Sequence, residues 1–346
     1  MALNNKTVLI FHHTDLDGIG VKIIGIKRAQ SLGLPYKTFA CNYHEINQAV
    51  VNALKVFSPK EVAEIIIGDI SVNTEVAKMV NAYYKDGVDV TLRDHHLSAE
   101  WLNQYPWAYV TEAENDIARC GTHLLAQCYP TIFSDMETFI NTVDSWDTWK
   151  WKTTNDLAAK DLNSLLKIMG EENFTEYILN LYDNQNQRIV TSYQLFNSEA
   201  KLRIEVRNDM IASTARNCEN SMWIGDCDIP ASVCPVHIET QLKFGVIFCN
   251  DNVSNVADYI LDRHPELDFL AIMALPKTIS FRTQKDNLLM PLNEIAKMFT
   301  GSGGGHPQSS GATIQSFQFK SVLKALTTLN SHSKLLIHHL KPAQED

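Results

Sequence analysis

The sequence has no CxxC pair, no apolar run long enough to cross a bilayer and no excess of basic residues, and each absence excludes something. Seven cysteines at irregular spacing suit reduced thiols better than a disulfide framework, so a reducing cytoplasm is the expected setting. The apolar stretch around Val8 is too short for a secretory signal, and Phe269 to Leu275 falls far below the roughly 20 residues of a membrane span. A protein without membrane association is expected. With 30 Lys and Arg against 40 Asp and Glu, a formal charge of −10, the chain lacks the broad basic surface that long duplex nucleic acid requires. A small anionic ligand stays compatible, because metal ions and a few local cations bind phosphate inside an acidic protein. Also missing are an internal repeat, a GxSxG elbow and a GxxxxGK(S/T) phosphate loop, which leaves no sign of a serine nucleophile or a nucleoside triphosphate cradle.

The composition that remains is globular: 45% hydrophobic residues over 346 positions supply a substantial core, most naturally in two domains. The first part alternates strand-like runs with amphipathic stretches such as Ile19 to Leu32 and Thr74 to Tyr84, as a doubly wound parallel α/β sheet does. Helical spacing follows at Leu162, Leu165, Leu166 and Met169, then at Phe174, Tyr177, Ile178 and Leu181. Short strands return at 231–233, 244–248, 269–273 and 278–282 and indicate a smaller second α/β domain. The expected division is a first domain at 1–185, a helical linker at 186–220, a second domain at 221–330 and a tail at 331–346. In that tail Leu335 to Leu340 suits a packed helix or a self-association segment, and a homodimer is compatible with it.

Metal-binding side chains gather where strands end. Val88 to Leu92 leads into Arg93-Asp94-His95-His96, Thr7 to Phe11 into His12-His13-Thr14-Asp15-Leu16-Asp17-Gly18, and Glu64 to Ile67 into Gly68-Asp69. Each Asp alone reads as a turn former or helix cap. Three such clusters at strand ends read differently, because a parallel sheet collects its functional side chains at the carboxyl ends of its strands. Carboxylates and neutral imidazoles are the ligands of choice for divalent ions. Asp144 adds a carboxylate on an apparent helix. Trp146, Trp149 and Trp151 nearby are candidates for base stacking, although aromatic residues more often build core. Farther on, Gly301 to Gly305 reads as a linker by composition alone; set between the apparent helix Leu292 to Phe299 and Gly311, it also suits a tight loop whose N–H groups approach an anion. His306 would add a donor there, and Arg282 a charge-assisted hydrogen bond.

These segments resemble the DHH phosphoesterase family, whose motifs stand here as HHTDLDG at 12–18, GDIS at 68–71, RDHH at 93–96 and NTVDSWD at 141–147, in the family order. ISFRT at 279–283 and IAKMFTGSGGGH at 295–306 resemble the DHH-associated C-terminal domain. The resemblance implies a catalytic first domain and a substrate-binding second domain. It further implies two divalent ions, manganese by preference, with Asp15 and a first-motif histidine holding one, Asp17, His95 and Asp144 the other, and Asp69 bridging them. Relatives differ in where that histidine sits: the spacing two before the aspartate selects His13, while strand alternation leaves His12 as the alternative. His96 and Asp94 would be the catalytic residues, with His96 beside the scissile phosphate. Arg282, Gly304, Gly305 and His306 would hold the terminal phosphate or nucleotide portion of the substrate. The implied chemistry is phosphoester hydrolysis by a bridging hydroxide between two metal ions.

Among family activities the opening motif and the length most resemble oligoribonucleases that trim very short single-stranded RNA to mononucleotides. Alternatives within the family are hydrolysis of cyclic or linear dinucleotides and removal of phosphate from 3′-phosphoadenosine 5′-phosphate. A catalytically silent nucleotide-binding protein is the alternative outside enzymology, disfavoured because such a module has no need of so many aligned carboxylates.

Overall fold

The computed structural model describes residues 6–183, 188–229, 240–274, 278–297, 303–305 and 307–313. The chain divides into two compact units, Met1–Glu205 and Val206–Asp346.

The first unit alternates strand and helix as the sequence pattern predicts: β1 Thr7–His12, α1 Leu16–Leu32, β2 Tyr36–Ala40, α2 Ile46–Val56, β3 Val62–Gly68, α3 Thr74–Lys85, β4 Asp89–Asp94 and β5 Ala108–Val110. The five strands form one parallel sheet in the order β2-β1-β3-β4-β5. Alternation along β1 explains why the sheet is covered on both faces. Val8 and Ile10 enter one apolar cluster with α1 and later helices, while Leu9 and Phe11 enter another with α2 and α3. Such two-sided burial is the condition under which parallel strands are stable. A small hairpin, β6 Ala113–Glu114 and β7 Ile117–Ala118, then leads to α4 Gly121–Ala126, α5 Pro130–Asp147, α6 Lys150–Thr154, α7 Leu157–Met169 and α8 Glu171–Asp183. Lys22 lies buried in α1 and is tolerated because Glu171 and Glu172 at the start of α8 each lie 2.8 Å from its ammonium. A buried charge survives only when paired in this way.

α9, Ser198–Asn220, contributes Ala200 and Ile204 to the first unit's core and Ile211, Ala215 and Cys218 to the second's. The second unit continues with β8 Trp223–Ile229, β9 Thr240–Phe248, α10 Val253–Arg263, β10 Phe269–Ala274, β11 Thr278–Arg282, α11 Leu292–Lys297, β12 Gly304–Gly305 and β13 Ser309–Thr313. Its mixed sheet runs β12-β13-β11-β10-β9-β8, with only β9 and β10 parallel. The expected strand at 231–233 and the C-terminal segment at 335–340 lie outside the described residues. No helix among the described residues is long and apolar enough to cross a membrane.

Candidate metal centre

Three strands of the parallel sheet deliver the polar group. β1 ends at His12 and passes through His13 into α1, whose N-cap is Asp15. The Asp15 carboxylate accepts the Gly18 N–H at 3.0 Å, so the chain turns at that point from strand into helix. β3 ends at Gly68, and Asp69 takes up a left-handed backbone, φ 54°, a conformation that Asp and Asn adopt more readily than other side-chain-bearing residues. β4 ends at Asp94, followed by His95 and His96.

These ends converge. His13 Nδ1 lies 2.9 Å from Asp15 Oδ2 and 3.6 Å from Asp69 Oδ2. His95 Nε2 lies 3.2 Å from Asp69 Oδ1, 3.4 Å from Asp147 Oδ2 and 3.8 Å from Asp17 Oδ2. Asp69 therefore stands between two sets of ligand-type atoms, one with His13 and Asp15, the other reached through His95 with Asp17 and Asp147. Asp94 accepts hydrogen bonds from Ser71 at 2.5 Å, from the His95 N–H at 2.8 Å and from the His96 ring at 2.7 Å. Asp94 thus works through its neighbours, fixing which way the His96 ring faces.

The electrostatics follow from this crowding. Burial raises the Asp69 carboxyl well above its ordinary range, and the charges of Asp17, Asp15 and Asp147 raise it further. Asp147 is raised by the same causes, burial foremost. For Asp15 burial works against ionisation, but the His13 contacts outweigh it and hold the carboxyl low. Burial also opposes the charged form of His96, and its bond to Asp94 overcomes this and raises the imidazole above its usual value. Three buried polar atoms of the group, His13 Nδ1, Asp69 Oδ2 and Asp147 Oδ2, make no hydrogen bond of good geometry, their near neighbours being other ligand-type atoms of the same group. Unpartnered buried oxygens and ring nitrogens are costly, and a divalent cation is the species that satisfies carboxylate and imidazole together. The donor set therefore fits divalent metal.

Not every residue singled out from the sequence joins the group. The Asp144 carboxylate accepts the Cys120 N–H at 2.9 Å, and it pairs with Arg119 at 3.2 Å and Lys150 at 2.5 Å. Asp147, one turn farther along α5, reaches His95 instead. Sequence reasoning passed over Asp147, although its spacing of three from Asp144 puts both on one helix face. Asp17 does more than present a carboxylate: it accepts the Gly121 and Thr122 N–H groups at 2.7 Å each, anchoring the start of α4. The His12 ring is fully buried away from the cluster, its Nδ1 2.8 Å from the His13 carbonyl oxygen and its Nε2 3.6 Å from Glu171. Tyr43, in the loop after β2, was also passed over. Its hydroxyl lies 3.0 Å from His96 Nε2, and its ring centroid lies 5.1 Å from that of His13. Of the tryptophans, Trp146 stacks on Trp151 at 5.4 Å and packs on the core, whereas Trp149 is half exposed with Lys152 4.1 Å above its ring.

In the second unit, Arg282 pairs in register with Ser309, and Gly304 and Gly305 pair with Gly311 and Ser310 on the other side of β13. The run expected as a loop thus includes the short strand β12. A Cβ on Gly305 would meet Ser309 O and Ser310 Cα at 2.7 Å, and its φ of 131° suits glycine alone. The Arg282 guanidinium donates to Ser254 Oγ and to the Phe281 and Ser310 carbonyl oxygens, and no ion pair to it is found among the described residues, although the charge of Asp258 acts on it. Burial lowers its basicity. His306 lies outside the described residues.

No family model matches the chain. It is similar to oligoribonuclease NrnB of Bacillus subtilis (strain 168), 25% identical over 324 residues that cover 88% of this chain and 72% of that protein. Its fold is similar to exonuclease RecJ bound to manganese, with TM-score 0.48 and 13% identity over 93% of this chain and 89% of that one. It is also similar to RecJ from Thermus thermophilus in complex with Mn²⁺, with TM-score 0.49 and 12% identity over 93% of this chain and 52% of that one.

Proposed function

We propose that the chain is a divalent-metal-dependent phosphodiesterase that hydrolyses short oligoribonucleotides. The observation that carries this reading is the convergence of His13, Asp15, Asp17, Asp69, His95 and Asp147, whose ligand-type atoms face one another with only other ligand-type atoms as near neighbours for His13 Nδ1, Asp69 Oδ2 and Asp147 Oδ2. The 25% identity to NrnB supports the choice of substrate class. The acidic chain suits a short substrate, since each added phosphate would add repulsion without a basic track to offset it.

In this reading His13, Asp15 and Asp69 would hold one cation, and Asp69, His95, Asp17 and Asp147 a second. Bound divalent ions polarise a phosphoryl oxygen and make water acidic enough to supply hydroxide near neutral pH. The protein's own contribution is positional. Asp94 accepts the Nδ1 proton of His96, which leaves Nε2 on the side of Tyr43, where it can donate to a phosphate oxygen once protonated. Asp144 stays an internal counter-ion that fixes Lys150 and Arg119 beside the end of α5. Arg282, without an ion pair among the described residues, and the β12–β13 glycines would hold a terminal phosphate.

The test is manganese-dependent hydrolysis of RNA dimers to 24-mers, alongside cyclic di-AMP, pApA and 3′-phosphoadenosine 5′-phosphate. Rapid loss of RNA dimers to pentamers is expected, with slow attack on the 24-mer. Asp69→Ala is expected to lose at least about 100-fold, because even residues that only support metal ligands cost 10- to 100-fold when removed. Preference for a cyclic dinucleotide or for 3′-phosphoadenosine 5′-phosphate would overturn the substrate, and inertness toward every phosphoester would overturn the enzyme.

A further inference from the structure

Beside the metal group, wholly within the first unit, the protein carries an open cleft of about 320 Å³. Its wall includes His96, Tyr43, Trp101, Asn47, Asn73 and Ser98. The chemistry of that wall is selective. No lysine or arginine lines it, and its one carboxylate, Asp94, is already engaged by Ser71 and His96. Away from His96 at its edge, a phosphate would find no countercharge in that wall. Two aromatic side chains stand open instead, Tyr43 at 56% exposure and Trp101 at 37%. Rings left in water at the rim of a polar cleft offer a flat apolar face that a flat ligand can cover.

The polar side chains are arranged as donors. The Asn47 carbonyl oxygen accepts the Asn73 N–H at 2.8 Å, and the Asn73 carbonyl oxygen accepts the Val76 N–H at 3.0 Å. Each carboxamide is thereby oriented, and neither NH₂ group has a hydrogen-bond partner among the described residues. Two preset neutral donors and two open rings match the edge and faces of a nucleobase. The Tyr43 hydroxyl lies against His96 Nε2, so an occupant of the cleft lies next to the imidazole. The volume lies at the lower end of the roughly 300–1,000 Å³ of small-molecule sites, room for one nucleoside.

We infer that this cleft is the subsite for a nucleoside ester-linked to the phosphate at His96, with its base packed on Trp101 and Tyr43 and its edge met by Asn47 and Asn73. The inference rests on the phosphodiesterase reading and adds which surface holds the nucleoside. Selectivity for oligonucleotides over other phosphodiesters would then originate in the first unit.

The experiment uses the full chain with Mn²⁺ and three substrates: pApA and the two analogues lacking one or the other base. Trp101→Ala is expected to lower kcat/KM for pApA about tenfold, equivalent to about 1.4 kcal/mol and carried mainly by KM. For the analogue that lacks the base held in the cleft, the loss is expected to be about fivefold smaller, since removing both partners of one contact is not additive. Trp101→Phe, which keeps a ring and the packing, is expected to recover most of the loss. Equal losses on all three substrates, or none, would overturn the subsite. Calorimetric binding of adenosine 5′-monophosphate separates the two ideas. If the wild type hydrolyses nothing but binds the mononucleotide about tenfold more tightly than Trp101→Ala, the phosphodiesterase reading fails and the cleft stands. If hydrolysis proceeds and neither readout depends on Trp101, the cleft fails and the reading stands.

Discussion

Asp69 concentrates the cost of the group: a buried carboxyl, in a left-handed backbone, surrounded by the charges of Asp17, Asp15 and Asp147. Asparagine has the same shape, accepts the same backbone conformation and carries no charge. Without metal, Asp69→Asn is therefore expected to be more stable than wild type at neutral pH by about 0.5–2 kcal/mol, as when a strained functional residue is relieved. The sign with pH follows from the raised carboxyl. Between the ordinary carboxylate range and Asp69's folded-state value the native protein holds the proton that the unfolded chain has lost, so wild-type stability falls as pH rises through that window. The variant lacks this contribution, so the gap between the two widens with pH. Saturating Mn²⁺ is expected to reverse the order, because binding to the native state alone stabilises it. Thermal melts at several pH values with and without Mn²⁺ check this, and a variant less stable than wild type at pH 7 without metal would contradict it. At this scale the sequence made much legible: His13, Asp69 and His95 follow directly on strands, Asp15 and Asp17 start the helix after β1, and strand ends meet in a parallel sheet. Asp144 and Asp147 were not distinguishable by pattern. What separates them is Arg119 and Lys150, whose arrival beside Asp144 depends on tertiary packing. Tyr43 gave no signal either, being one exposed aromatic in a loop.

Between elements, the group depends on close approach. A Cβ on Gly121, at the start of α4, would lie 2.9 Å from the Asp69 Cα, Cβ and N atoms, and the N–H of that same glycine reaches Asp17. α4 can supply N–H groups to Asp17 only because nothing projects from its first residue toward β3. Gly121→Ala is expected to destabilise the fold by about 1–3 kcal/mol, the usual cost of forcing an extra carbon into a packed site. It is also expected to weaken Mn²⁺ binding, because Asp69 and α4 must separate. Urea unfolding and a metal titration monitored by melting temperature test the two effects; a neutral variant would show that α4 yields without disturbing Asp69. The elements that were legible share one physical character. β1, β3 and β10 are apolar runs buried over most of their length, β4 buries Val90 and Leu92, β9 buries Leu242, Phe244, Val246 and Ile247, and α3, α7 and α8 have one apolar face. β2 and β8 lack that pattern. β2 is an edge strand with no buried residue, and β8 carries Gly225 and two aspartates in seven residues. Hydrogen bonding to a neighbour makes each of them a strand, and that is not written in their own side chains.

Across the whole molecule, the two units divide the work unequally in the proposed reading. Every residue proposed to hold metal lies within 1–205, while Arg282 and the glycines of β12 belong to 206–346. Metal binding and substrate anchoring should therefore separate under mutation. Arg282 is held by Ser254 and two carbonyl oxygens with no ion pair among the described residues, an arrangement suited to an anion that arrives with the substrate. Arg282→Gln keeps much of the length and polarity and removes the charge. For 5′-phosphorylated RNA dimers it is expected to raise KM about 10- to 100-fold, corresponding to the roughly 1.5–3 kcal/mol of a hydrogen bond to a charged group. The gain in melting temperature on adding Mn²⁺ is expected to match wild type, since no metal-holding residue is touched. Dimers without the 5′-phosphate should show a smaller effect, because they have no terminal phosphate for the guanidinium to hold. If KM rises equally for both kinds of dimer, Arg282 acts by tying β11 to β13. If the Mn²⁺ response falls as well, the units are coupled more tightly than their separate cores require.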